Sequence, residues 1–170
     1  MRQAFKSFAW IFASLFVFSS GVYALLHEVL GMHAVFGSMY RMFLYHYQHP
    51  FQYIAIFCAV YALGAALLVT CKPNLAGRHQ LLSIALLLLV TIALASVAGG
   101  VLWKIHDMQA GYFPPGDRFW SDLWWGARNG LLAGWFVLVA SVPFNLICLA
   151  GFFYVTHLAF QRAARQALPA

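Results

Sequence analysis

The sequence predicts an all-α, polytopic membrane protein with four transmembrane helices in one domain, 1–170. Three observations carry this. Of the 170 residues, 64% are hydrophobic and only 8% charged. Four uncharged apolar runs are each about 20 residues long or longer, enough to cross a hydrocarbon core roughly 30 Å thick. The basic residues gather on alternate connections between those runs. A soluble domain carries about 25% charged residues, and a fold this small leaves too much surface exposed to hide so many apolar side chains from water.

The first run, 8–26, follows a basic start (Arg2, Lys6). It is longer than the roughly 7–15-residue core of a secretory signal, so it is read as a retained helix despite a cleavage-like Val22-Tyr23-Ala24. The second run, 51–70, opens after Pro50, a residue suited to the first turn of a helix. The third, 81–103, is the most aliphatic. The fourth, 131–156, contains Pro143 and Asn145. Continuous rather than alternating apolar character favours helices, which satisfy their own backbone in lipid. Two connections are long enough to hold short interfacial amphipathic helices. In 27–49, Met32, Val35, Phe36, Met39, Tyr40 and Phe43 recur at helical spacing. A second such helix is expected near Asp117, where DRFWSDLWWGAR follows Pro114-Pro115-Gly116 and leads into the fourth run.

Charge gives the orientation. The N-terminus, the 71–80 loop and the C-terminus hold Arg2, Lys6, Lys72, Arg78, Arg162 and Arg165 and no acid. The other side balances Arg41, Lys104, Arg118 and Arg128 with Glu28, Asp107, Asp117 and Asp122. The positive-inside rule places the first side in the cytoplasm, with both chain ends there. A bacterial inner membrane is the expected location. Trp103, Trp120, Trp124, Trp125 and Trp135 mark the opposite interface. The net charge of +6 does not indicate nucleic acid, because the basic residues are scattered singly and form no basic face. Anionic headgroups are the expected partners, at about 1 kcal/mol per Lys or Arg near the surface.

Small residues predict where helices approach closely in lipid. Gly126, Gly130 and Gly134 form two overlapping GxxxG steps. The third run offers Ala95 with Gly99 and Ser96 with Gly100, and the second offers Cys58, Ala62 and Ala66. Helices two, three and four are expected to form the tight unit, with the first more peripheral. The glycine face serves either that bundle or a seam with a partner subunit or a second copy. Pro143 should interrupt the fourth helix, and Asn145 beside it is a polar group that should face the bundle.

The chemistry-bearing residues are histidines. His27, His33, His46, His49 and His106 all fall on the outer side, making a histidine-rich outer segment, and His27, His49 and His106 lie at the outer ends of three crossings. With Glu28, His46 and Asp107 as additional ligands they could hold a metal such as Zn, Cu, Fe or Ni, or two imidazoles could ligate a haem. An ordinary interfacial segment explains them equally. HEVLGMH is not a zinc-protease motif, because position 31 is Gly rather than His. Lys104 with Asp107, and Arg118 with Asp122, have the spacing of exposed helical ion pairs, which contribute about 0.2–1 kcal/mol each. Cys58, Cys71 and Cys148 imply no disulfide framework, since none falls in an outer segment.

No phosphate-binding loop, nucleophilic serine motif or paired thiol motif is present, and no crossing carries a charge. Catalysis is therefore not the expected role. The first expectation is an accessory, assembly or regulatory subunit of a membrane complex that works by contact, without nucleic acid. The alternatives are an outward-facing histidine site for redox chemistry or metal handling, and a small-solute or lipid carrier around Pro143 and Asn145.

Overall fold

The computed structural model describes residues 2–32, 50–112, 116 and 118–167, and every regular element among them is helical. Helix α1 spans Arg2–Ala24 and continues as a π-helical turn over Leu25–Val29. There the Leu30 N–H reaches back five residues to the Leu25 carbonyl at 3.0 Å. α2 is Pro50–Cys71, stopping just ahead of Pro73. α3 runs over Gly77–Gln109, α4 over Phe119–Ala140 and α5 over Phe144–Ala167. At about 1.5 Å per residue, the 33 residues of α3 reach about 50 Å. That exceeds the hydrocarbon thickness, so α3 projects beyond it. A Schellman motif ends α3. Tyr112 N–H donates to the Asp107 carbonyl at 3.1 Å and Gly111 N–H to that of Met108 at 3.2 Å. Gly111 sits at φ +79°, where a side chain would strain the backbone.

Four of these helices are long and apolar enough to cross a membrane: Gln3–Val29, Pro50–Cys71, Gly77–Gln109 and Phe144–Arg165. Three correspond to the expected runs. The fourth differs. The apolar stretch 131–156 is not one helix but is divided between α4 and α5 by a turn at 141–143 that contains a cis Val142–Pro143 peptide bond. Pro143 lacks the N–H needed to continue α4 and clashes with the turn before it. The new helix is nucleated at once: Asn145 N–H donates to the Ser141 carbonyl at 2.9 Å and Ile147 N–H to that of Pro143 at 3.2 Å. The expected short helix near Asp117 is not separate either. DLWWGAR lies inside α4, which continues to Ala140. The expected helix in 27–49 lies outside the described residues beyond Met32.

The division decides the packing. α4 lies along α3, whereas α5 packs on α1 and α2. The expectation of a peripheral first helix is therefore corrected. Ile11 and Leu15 of α1 are 0% exposed, in a core shared with Ile54, Tyr61 and Ala65 of α2 and Phe152 and Phe160 of α5. The bulky residues of α1 divide by face, so that Ile11 and Leu15 point inward while Phe5 and Val17 face outward. Between α2 and α5, the Tyr61 and Thr156 hydroxyls share a 2.7 Å hydrogen bond in the core. The outward faces of α2 and α3 present Leu63, Leu67, Leu82, Leu86 and Leu89, the surface a lipid-solvated bundle requires.

The glycines of α4 meet α3 through backbone. A Cβ on Gly130 would overlap the Ser96 carbonyl oxygen, one on Gly126 would lie 2.5 Å from the Gly100 carbonyl oxygen, and one on Gly134 would overlap the Ser96 hydroxyl. Ala95 and Gly99 are buried as well. The glycine face is thus occupied by the chain's own α3.

Candidate functional site

Where α4 gives way to α5 the bundle forms a half-open cavity of about 80 Å³. The turn supplies Ser141 and the first turns of α5 supply Asn145 and Cys148; α1 contributes Ser19 and α2 contributes Tyr53 and Cys58. Most of the remaining wall is apolar, with Phe57, Phe144 and Phe152 prominent. A few hydrogen-bonding groups converging on an apolar concavity is the usual make-up of a small-molecule site.

The polar groups are held in a definite state. Asn145 Oδ1 accepts the Leu146 N–H at 2.9 Å, which fixes the amide at the start of α5. An Asn amide also carries two N–H donors. Ser19 is 3% exposed, and its hydroxyl faces the Cys58 and Cys148 thiols as a hydrogen-bonding neighbour. A thiol is a weak hydrogen-bonding partner, so a stronger donor or acceptor entering the cavity would compete for the Ser19 hydroxyl. Of these residues the sequence singled out Asn145, and it placed Cys58 on a small-residue stripe. Ser19, Tyr53 and Ser141 were not foreseen, because nothing in their local sequence distinguishes them. The break at Pro143 brings Ser141 and Asn145 to a space that Ser19, Tyr53 and Cys58 also line.

A second polar centre lies near the C-terminal end of α3. Lys104 Nζ stands 3.6 Å from Asp107 Oδ2, with the two side chains only 10% and 6% exposed. The ammonium also lies over the rings of Trp103 and Trp125, at 4.7 and 4.5 Å from their centroids. This corrects the expectation of an exposed pair. α4 covers it: a Cβ on Gly126 would lie 2.6 Å from Lys104 Cγ, so the glycine is what lets α4 close over the lysine. Arg118 and Asp122 form no ion pair and are joined only through backbone, Asp122 N–H to the Arg118 carbonyl at 2.9 Å.

The histidine constellation is only partly within view. His27 Nδ1–H donates to Glu28 Oε1 at 2.8 Å, and the His27 ring stacks on Tyr23 at 5.3 Å between centroids. His106 lies in the last turn of α3, and Asp107 beside it faces Lys104. His46 and His49 lie outside the described residues. Among the described residues no three His, Cys, Asp or Glu side chains come together as metal ligands. At the opposite end of the bundle His157 ties two helices: Gln161 Nε2–H donates to its Nε2 at 2.9 Å and its Nδ1 meets Gln80 Oε1 of α3 at 3.3 Å. No protein-family model, characterised protein or solved structure matches the chain, so the geometry of these centres carries the functional reading.

Proposed function

We propose that the protein is a membrane-embedded carrier that binds a small neutral molecule, mostly apolar with one hydrogen-bonding group, in the cavity at the interrupted fourth crossing. The observation that carries this reading is that the buried Ser19 hydroxyl, the Asn145 amide and Ser141 line the same 80 Å³ space. Interrupted helices at membrane depth are a recurrent way to present polar groups to a solute. An engineered apolar cavity of about 150 Å³ takes benzene, so this one suits a smaller guest, on the scale of acetone or ethanol. The contact-subunit reading loses its main seam, since the glycine face packs on α3.

The test uses purified protein in detergent with acetone, ethanol and phenol as graded probes. A ligand that binds only the folded state raises stability by about 1.4 kcal/mol at ten times its Kd. The smaller probes should raise the melting temperature of the native chain and lose that effect in Asn145→Leu. Probes that shift both proteins equally, or neither, would remove the cavity as a binding site.

The carrier sits in a bacterial inner membrane with both chain ends in the cytoplasm. Supporting this, Gln3, Pro73 and Arg162 line one cavity, which joins the three acid-free segments at one end of the bundle. Fluorescent or reporter tags on the two termini should report the same compartment, and opposite compartments would refute the placement. A second reading, contact with another membrane subunit, draws on Trp120 and Trp124 of α4, which are 78% and 73% exposed. Trp120→Ala with Trp124→Ala should then abolish co-purification of a stoichiometric partner; a partner retained by the variant would exclude that face.

A further inference from the structure

We propose that the end of the bundle where α1 begins and α2 and α5 finish is a binding site for the phosphate group of an anionic phospholipid, built on Lys6, Arg162 and Trp10. It is separate from the cavity at the helix break and does not depend on it. The three helices leave a cleft of about 430 Å³ into which Lys6, Arg162, Ser7 and Thr70 bring polar atoms over Val69 and Ala159. The size lies within the roughly 300–1,000 Å³ of small-molecule sites.

The Arg162 guanidinium carbon lies 4.1 Å from the centroid of the Trp10 ring. A guanidinium held over an indole face can still donate its N–H groups in plane, the fork that matches two phosphate oxygens. Lys6 adds a second positive charge from α1, and the Ser7 hydroxyl a further donor. No carboxylate side chain competes, because the chain has no Asp or Glu between residues 29 and 106 or beyond 122. Two cations that share a concavity repel each other until an anion enters. The apolar floor selects the kind of anion. Val69, Ala159 and the face of Trp10 suit acyl chains and offer nothing to a fully hydrated ion. Basic pockets between membrane helices hold lipid headgroups on this principle.

Each cation near an anionic surface contributes about a fivefold gain in binding, so the loss of both should weaken binding about thirtyfold. The test is native mass spectrometry of the delipidated full-length chain, titrated with phosphatidylglycerol, phosphatidylcholine or inorganic phosphate. Lys6→Gln with Arg162→Gln should lose phosphatidylglycerol. Lys72→Gln with Arg78→Gln removes the same charge from the same end but outside the cleft, and should retain it. Arg162→Lys, which keeps the charge and loses the fork, should fall between. All four residues are exposed, and circular dichroism checks that each variant is folded. Equal loss in the two double variants would reduce the effect to surface charge and overturn the site. Equal binding of phosphatidylcholine would overturn the requirement for an anion. Inorganic phosphate displacing phosphatidylglycerol at equal concentration would assign the cleft to a free anion and overturn the lipid.

Discussion

Lys104 and Asp107 give the sharpest test of how α3 and α4 are held together. The pair is 3.6 Å apart and almost wholly covered. At an effective dielectric constant of about 20, charges at that distance attract by about 4–5 kcal/mol, and burial of both ions opposes most of that gain. The two indoles that face the ammonium add about 0.5–2 kcal/mol each. The net worth of the pair is therefore small, but the cost of breaking it is not. Asp107→Leu strands an ammonium under α4, and Lys104→Met strands a carboxylate; each should cost about 3–5 kcal/mol. The double variant leaves no buried charge, and Met packs well against aromatic rings, so it should be more stable than either single variant. Reversible unfolding in mixed detergent micelles, followed by far-ultraviolet circular dichroism, measures all four proteins. Single-variant losses that simply add in the double variant would show that the two groups do not interact, and the covered-pair account of the α3–α4 contact would fail.

Three further outcomes are expected from the same assay. Gly130→Ala should cost about 1–3 kcal/mol, because its Cβ overlaps the Ser96 carbonyl oxygen, while Gly21→Ala, with nothing within 4 Å, should gain about 0.5–1 kcal/mol; equal effects would deny the close approach. Leu15→Ala should cost about 2 kcal/mol, the low end of the range for buried leucines, since helices in lipid gain little from leaving water; a negligible cost would return α1 to the periphery. Tyr61→Phe should cost about 1 kcal/mol by leaving the buried Thr156 hydroxyl without its partner, and the paired change Thr156→Val with Tyr61→Phe should recover part of it.

The number of crossings was legible because span length is imposed by the bilayer and written directly as apolar run length. Pro50 was legible for a similarly local reason: it acts on its own backbone at the first turn of α2. The break at Pro143 was legible too, but not that it divides the last crossing into two separately packed helices. The apolar run passes through 141–143 without a gap, and composition cannot tell a kinked helix from two helices with different neighbours. The central place of α1 was hidden because lipid and core reward the same side chains, so an apolar residue gives no sign of which it faces. Lys104 and Asp107 were read as a surface pair from their spacing. Their burial depends on Gly126, nineteen residues after Asp107, and on α4 lying against α3. Of the candidate cavity, Asn145 was visible as an amide in an apolar run, whereas Ser19 and Ser141 gain meaning only from the tertiary contact.

The rings that enclose Lys104 also make an optical reporter. Trp103 and Trp125 are 5.5 Å apart with their planes inclined at 45°, close enough and skewed enough for their transitions to couple as an exciton pair. One indole belongs to α3 and the other to α4, so the resulting couplet exists only while the hairpin is shut. Its loss on heating or on adding denaturing detergent would time the parting of these two helices against the melting of the rest, with no label attached.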